Sequence, residues 1–240
     1  MSDVFGRALL DWAKGGNVHE IVEREDGFIQ GGAGPEVYLA PPRGWPRAER
    51  RALALIRGVV LDVGCGAGRV ALALQERRLE VIGLDSSSNA LAAARLCGVK
   101  DVRLGSIDHL ERIIANVDSI VLFGNNFGLF RTLDHARELL SKWARMVKPG
   151  TKIFLESTSA YFGGAPGIDR PYYRGNLEAG RPPGSVRLRY HYKDATGEWF
   201  TWLFVSQREL RDALRGTGWR VARVLKSTLS EPYVAVLELE

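Results

Sequence analysis

The stretch Leu61-Asp62-Val63-Gly64-Cys65-Gly66-Ala67-Gly68-Arg69 constrains this chain most, because it sets three glycines in five positions between a strand-like run and a helix-like run. Val59-Val60-Leu61-Asp62-Val63 reads as a buried strand. Gly68 to Arg78, with Val70, Leu72, Ala73 and Leu74 apolar, reads as a helix. Glycines at such a junction allow a tight turn and let bare backbone approach a ligand without a Cβ in the way. The free N–H groups where the helix begins, near Gly68 and Arg69, suit a carboxylate or phosphate. Asp85 follows 17 positions after Gly68, at the tip of Val81-Ile82-Gly83-Leu84. An acid there is placed to accept hydrogen bonds from both hydroxyls of a ribose.

The pattern around that junction sets the fold class. A helix is expected over Ser88 to Cys97, a strand over Val99 to Leu104, another over Ser119 to Phe123, and a helix from Leu133 to Val147 that Lys148-Pro149-Gly150 stops. Lys152 to Leu155 makes a fifth strand. Strands and helices alternating at these lengths predict an α/β protein with a doubly wound, mostly parallel sheet and helices on both faces. The regularity lapses between Ser157 and Val205, then returns with a helix over Ser206 to Arg215 and strands over Trp219 to Val224 and Tyr233 to Leu239. Ahead of it all, Asp3 to Lys14 suits a short helix ended by Gly15-Gly16. The Gly/Pro-rich stretch up to residue 46 then reads as ordered loop, and Arg47 to Ile56 as helix. The expected plan is therefore an N-terminal wrapping or lid segment over 1–50 and a domain over 51–240, carrying an inserted lid at about 158–205.

Two cofactors suit the glycine loop. A dinucleotide site would require G-x-G-x-x-G, but the sixth position counted from Gly64 is Arg69. The chain offers G-x-G-x-G preceded by Asp62, which resembles motif I of the class I S-adenosylmethionine (SAM) methyltransferases. Leu84-Asp85-Ser86-Ser87-Ser88 resembles their second motif. The bland alternative is a structural turn. The resemblance covers about 50–157 well and 206–240 in outline. It implies a seven-stranded sheet in the order 3-2-1-4-5-7-6 with the last strand antiparallel. It implies SAM as cofactor and S-adenosylhomocysteine (SAH) as product. By that likeness Asp62, Gly64, Cys65, Gly66 and Gly68 form the cofactor loop, with Gly64 to Gly66 under the methionine end. Asp85 would hold the ribose, and Ser86 would pack beside the adenosine. Many members carry G-D-A after the third strand. Here Gly105-Ser106-Ile107 stands instead, so the adenine amino group must meet Ser106, Asp108 or a carbonyl, while the Ile107 N–H meets a ring nitrogen. Ser106 could equally cap a helix.

Phe123-Gly124-Asn125-Asn126-Phe127-Gly128 follows the fourth strand, where the family places groups beside the transferred methyl. It lacks the Pro-Pro of enzymes that methylate nucleobase or glutamine nitrogens. Asn125 remains a candidate beside the sulfonium through its amide, with Asn126 a substrate candidate. Both could instead be turn residues. Glu156 and His191 are candidate bases, but neither sits in a motif, and no catalytic base is assigned. Residues 158–205 hold ten of the chain's 22 Phe, Trp and Tyr. Within them Val186 to Lys193 alternates, with Val186, Leu188, Tyr190 and Tyr192 on one face. Glu198 to Val205 reads as its partner across an Asp194-Ala195-Thr196-Gly197 turn. That register sets His191 against Phe200, Arg189 against Trp202 and Arg187 against Phe204. Arg187, Arg189, His191 and Trp202 would then bind a planar or anionic acceptor, unless the cations are simply a solvated face.

A formal net charge of +5 suits an anionic ligand without requiring one. Two cysteines and four scattered histidines propose neither a disulfide framework nor a metal site. The first residues lack a secretory pattern and no run of about 18 apolar residues occurs, so a cytoplasmic protein without a membrane span is expected. A small-molecule methyltransferase is the leading expectation. The alternatives are methylation of RNA or protein, and SAM binding without transfer. Oligomeric state is left open.

Overall fold

The computed structural model describes all residues except 1–2, 33, 112, 163–168 and 227–231. The N-terminal part forms α1 (Val4–Ala13), β1 (Ile21–Arg24), β2 (Ile29–Gly31), α2 (Pro35–Tyr38) and α3 (Arg47–Leu53). The regular part follows as β3 (Val60–Val63), α4 (Arg69–Glu76), β4 (Val81–Asp85), α5 (Ser88–Leu96), β5 (Asp101–Leu104), β6 (Ser119–Leu122), α6 (Leu133–Ala144) and β7 (Lys152–Ser157). After it come α7 (Arg170–Glu178), β8 (Ser185–Tyr192), β9 (Ala195–Thr196), β10 (Phe200–Leu203), α8 (Gln207–Leu214), β11 (Trp219–Leu225) and β12 (Tyr233–Leu239).

The main sheet has seven strands in the order β11-β12-β7-β6-β3-β4-β5. It is mixed. β4 runs parallel to β5 and β6 to β7, whereas β12 is antiparallel to both β7 and β11. This is the strand order expected from the resemblance. The strands beside the glycine loop carry no solvated face, since β3 and β6 are buried at every position.

The N-terminal stretch departs from expectation. Residues 21–31, read as loop, form β1 and β2, which join β8 and β10 in a second sheet ordered β10-β8-β1-β2. β1 is short and half charged, so its own pattern is weak. It becomes a strand by pairing with β8, Val22 opposite Tyr190 and Glu23 opposite Arg189. The expected hairpin exists with a different register. His191 stands opposite Thr196 and Tyr192 opposite Ala195, so Lys193-Asp194 makes a two-residue turn. Lys193 takes φ 54°, the left-handed twist such turns require, and its ammonium reaches Asp11 Oδ2 at 2.6 Å. Gly197, expected inside the turn, instead donates its N–H to the Tyr190 carbonyl. Phe204 donates its N–H to the Gly184 carbonyl, not to Arg187.

The chain divides into two compact units, one of 1–45, 62–106 and 187–200, the other of 46–61, 107–186 and 201–240. In the first, Asp3 caps α1 by accepting the Gly6 N–H and also accepts the Ser87 hydroxyl at 2.5 Å and the Asn89 amide at 3.1 Å. This fastens α1 to the start of α5. In the second, Trp143 and Trp219 are fully buried, and the Trp219 indole N–H reaches the Leu140 carbonyl at 2.9 Å. α8 opens with a reciprocal capping box between Ser206 and Glu209, as its sequence predicts.

Gly68 sits at φ +94°, and a Cβ there would stand 2.3 Å from Val99 Cγ2. Gly68→Ala should therefore cost about 2 kcal/mol or more, combining left-handed strain with overpacking. Urea unfolding measures it. Adding Val99→Ala should recover the packing share only, and a Gly68→Ala protein as stable as wild type contradicts the assignment.

Candidate functional site

In the first unit the glycine loop is held by backbone and by one acid. The N–H groups of Gly64 and Cys65 both donate to the Leu84 carbonyl, at 2.8 and 3.0 Å. Asp85 then accepts the Gly66 N–H through one carboxylate oxygen and the Ser87 N–H through the other, each at 2.9 Å. One side chain thus ties the loop after β3 to the start of α5. Burial pushes the Asp85 carboxyl up, while the Ser87 and Gly66 N–H groups oppose that shift. The residue as a whole stays partly exposed.

Each predicted loop residue can be placed. Asp62 and Cys65 are buried, and Ser86 is exposed beside Asp85. Gly66 takes φ +55°, and a Cβ there would meet only Leu9 Cδ1 at 3.7 Å, so the loop's bare backbone faces open space bounded by α1. That open strip of Cβ-free backbone next to the Asp85 carboxylate fits a ligand with a polar chain and vicinal hydroxyls. Burial drives the Cys65 thiol well above its usual range, and the charges of Asp62 and Asp85 add to this. The thiol stays protonated and is a poor nucleophile. Arg69, the first residue of α4, stacks its guanidinium 4.4 Å over the Trp45 ring. Ser106 is partly exposed, and no described helix begins on it.

The second unit holds the loop after β6. Asn125 adopts φ +60° and precedes a 3-10 turn, Asn126–Phe130. Glu156, 1% exposed, accepts the N–H of Gly124 and, at 3.1 Å, that of Asn125 on the same oxygen. Glu49, equally buried, also accepts from Gly124 N–H at 3.3 Å. Thr158 donates its hydroxyl to Asn125 Oδ1 at 2.6 Å. Glu156 therefore shapes this loop, a role its position at the end of β7 did not reveal. Trp202 lies flat on Gly128, where a Cβ would stand 2.1 Å from the indole. Ile107 is buried in this unit.

Arg189, His191 and Glu23 come together on the β1–β8 face opposite to Tyr190. Arg189 binds Glu23 through two nitrogens, at 2.7 and 2.9 Å, and His191 Nε2 lies 2.6 Å from the same acid. Arg189 holds the Glu23 carboxyl below the usual carboxylate range, with His191 second. The ring beside Arg189 is Trp199, 4.4 Å away, with Arg187 at 5.9 Å. The arginine–aromatic face exists, but its guanidinium is engaged by Glu23 and its ring is Trp199.

Sequence reasoning missed Asp3, Glu20 and Tyr38. The signal for Glu20 was available, because Val18, Glu20 and Val22 alternate with exposed His19 and Ile21. An acid on an apolar stripe is the informative exception.

Glu156→Ala should strand the Asn125 N–H, leave Gly124 only its 3.3 Å bond to Glu49, and lower unfolding stability by about 1–3 kcal/mol, while Glu156→Gln, whose amide oxygen can still accept, should lose less. Chemical denaturation of both variants checks this, and equal losses would argue against a hydrogen-bonding role.

Comparison with known proteins agrees with this geometry. Residues 60–150 match the family described as "Methyltransferase domain". The ubiquinone biosynthesis O-methyltransferase of Dechloromonas aromatica is 30% identical over 113 residues, 45% of this chain and 47% of that one. The Hahella chejuensis protein of the same name is 31% identical over 117 residues, 45% and 46% of the two chains. The chain thus spans about half the length of these curated relatives. A crystal structure of a SAM-dependent methyltransferase from Bacteroides fragilis, in complex with S-adenosyl-L-homocysteine, superposes with a TM-score of 0.82 at 26% identity, covering 99% of this chain and 94% of that one. Residues 60–150 thus match a methyltransferase domain, and the whole chain is similar in fold to a SAM-dependent methyltransferase.

Proposed function

We propose that this protein transfers a methyl group from SAM to a small-molecule acceptor and releases SAH. The observation that carries the reading is Asp85, a desolvated carboxylate on a partly exposed residue, hydrogen-bonded to the Gly66 N–H of a G-x-G-x-G loop. Asp85 would accept from the ribose hydroxyls, Gly64 to Gly66 would lie under the methionine end, and Ser86 would lie beside the adenosine. Gly68 leaves the helix start free of a side chain. The cofactor supplies a methyl carbon bonded to a sulfonium, so the chain need only align the acceptor and exclude water. Leu9 of α1 contributes the apolar cover over Gly66. The protonated Cys65 thiol does not compete for the methyl group.

Among the described residues no helix is long and apolar enough to cross a membrane. The names of the relatives favour a small acceptor over RNA or protein. A steep log–log salt dependence of RNA binding is the outcome that would move the acceptor to nucleic acid.

Isothermal titration with SAM, SAH and NAD tests the cofactor. SAM and SAH should bind and NAD should not, and micromolar NAD binding without a SAM signal would defeat the reading. Asp85→Ala should weaken SAH about ten- to a hundredfold, since charge-assisted bonds to two hydroxyls are worth roughly 1.5–3 kcal/mol. Unchanged affinity in a folded variant would remove Asp85 from the ribose.

A further inference from the structure

Glu20 is a buried acid that the cofactor reading does not use. It lies in the segment that leads into β1, buried in alternation with Val18 and Val22, and is 4% exposed. Tyr190 stands opposite Val22, which makes Glu20 its diagonal neighbour on the same sheet face, at a spacing of about 7–8 Å. The carboxylate accepts one hydrogen bond, from the Gly34 N–H to Oε1 at 3.1 Å. Gly32 makes room for it, since a Cβ there would stand 2.2 Å from that oxygen. Among the described residues no Lys, Arg or His pairs with Glu20, and Oε2 takes no hydrogen bond although it is not sealed from solvent.

Two phenols share this place. The rings of Tyr38 and Tyr190 both pack on Phe5, which brings the two phenols into one place. Burial pushes Tyr38 up to about 12 and Tyr190 well above its ordinary value; the Glu20 charge adds to both shifts, and the Arg69 charge, held over Trp45, opposes that of Tyr38. Both therefore stay neutral. Their rings are locked. Tyr190 stacks between Phe5 and Phe200, with centroids at 4.8 and 5.6 Å, and Tyr38 meets Phe5 edge-on at 5.1 Å. With both faces of Tyr190 covered, what it can offer a ligand is its oxygen. Tyr38 also packs on the cluster of Leu9, Ala67, Ala90 and Ala93, so its ring adjoins the glycine loop.

An uncompensated buried carboxylate costs several kcal/mol. A ligand that removes this cost must be cationic, and one that also satisfies phenol oxygens must be rich in donors. A carboxylate or phosphate would be repelled, and a hydroxyl would bring one proton and leave the charge in place. An alkylammonium brings a full charge and up to three N–H donors. We propose that Glu20, Tyr38 and Tyr190 form an ammonium-binding site beside the glycine loop.

Two sources carry that chemistry, the α-ammonium of the cofactor's amino-acid tail and an amine acceptor. Assigning either rests on the SAM reading above. Glu20→Gln keeps the shape and the acceptor for Gly34 while removing the charge. Wild type and E20Q are titrated with SAH, with 5′-methylthioadenosine, which lacks the amino-acid tail, and with ethylammonium in the presence of saturating SAH. A loss of tenfold or more for SAH with 5′-methylthioadenosine unchanged assigns the site to the cofactor's ammonium. Unchanged SAH with ethylammonium binding lost assigns it to an amine acceptor. Either result supports the site, and ligand-free E20Q should melt no lower than wild type because an uncompensated charge has been removed. Affinities within twofold of wild type for all three probes overturn the proposal, as does a variant that fails to fold. Wild-type protein that binds neither SAH nor 5′-methylthioadenosine would instead defeat the SAM reading itself.

Discussion

The bond between the Asp85 carboxylate and the Gly66 N–H is the constraint around which the cofactor side of this protein is arranged. A loop of alternating glycines has no side chains with which to hold its own shape, and its backbone freedom is costly to restrict. Here the restriction comes from outside the loop. The Leu84 carbonyl takes two of its N–H groups, and Asp85, the next residue, takes the third. Because the other oxygen of Asp85 caps onto Ser87, the loop, the tip of β4 and the start of α5 become one rigid corner. Asp3 then fastens α1 to the same corner through Ser87 and Asn89, and α1 brings Leu9 over Gly66.

The loop after β6 is built on the same principle. Gly124 and Asn125 turn with positive φ, and their N–H groups converge on the buried Glu156. In both places a carboxylate at a strand end organises backbone N–H groups that the sheet leaves over. The difference lies in access. Glu156 is 1% exposed and its carboxylate is directed inward at its own loop, whereas Asp85 remains partly open. That contrast, more than the residue type, separates a group able to receive a ligand from one that shapes the chain.

Much of this was legible. The core strands and helices, the glycine junction and the capping box of α8 follow from local signals, namely periodicity, glycine spacing and cap residues, whereas the strand order and the antiparallel last strand were implied by the family resemblance. The N-terminal strands were not legible, because Ile21–Arg24 has too few apolar residues to declare itself and becomes a strand only against β8. The hairpin register failed for a related reason. Gly197 looked like the turn glycine, yet Lys193 took the left-handed position, supported by its ion pair with Asp11, a residue 182 positions away. Asp3 and Tyr38 carried no signal at all, since nothing local in the sequence marks a cap that also reaches Ser87 or a phenol that meets Tyr190.

By itself the sequence determined what short-range chemistry can determine: which segments are strands of a parallel core, where the chain turns on glycine, and which acid stands at the end of the second core strand. These are set within a few residues by steric freedom and apolar period. Only the tertiary structure decided which charges are satisfied. Arg189 and His191 looked available for a ligand and are taken up by Glu23, while Glu20 is buried with no paired cation among the described residues. Whether a charge is free or neutralised depends on partners brought together across more than a hundred residues, and no local pattern records that.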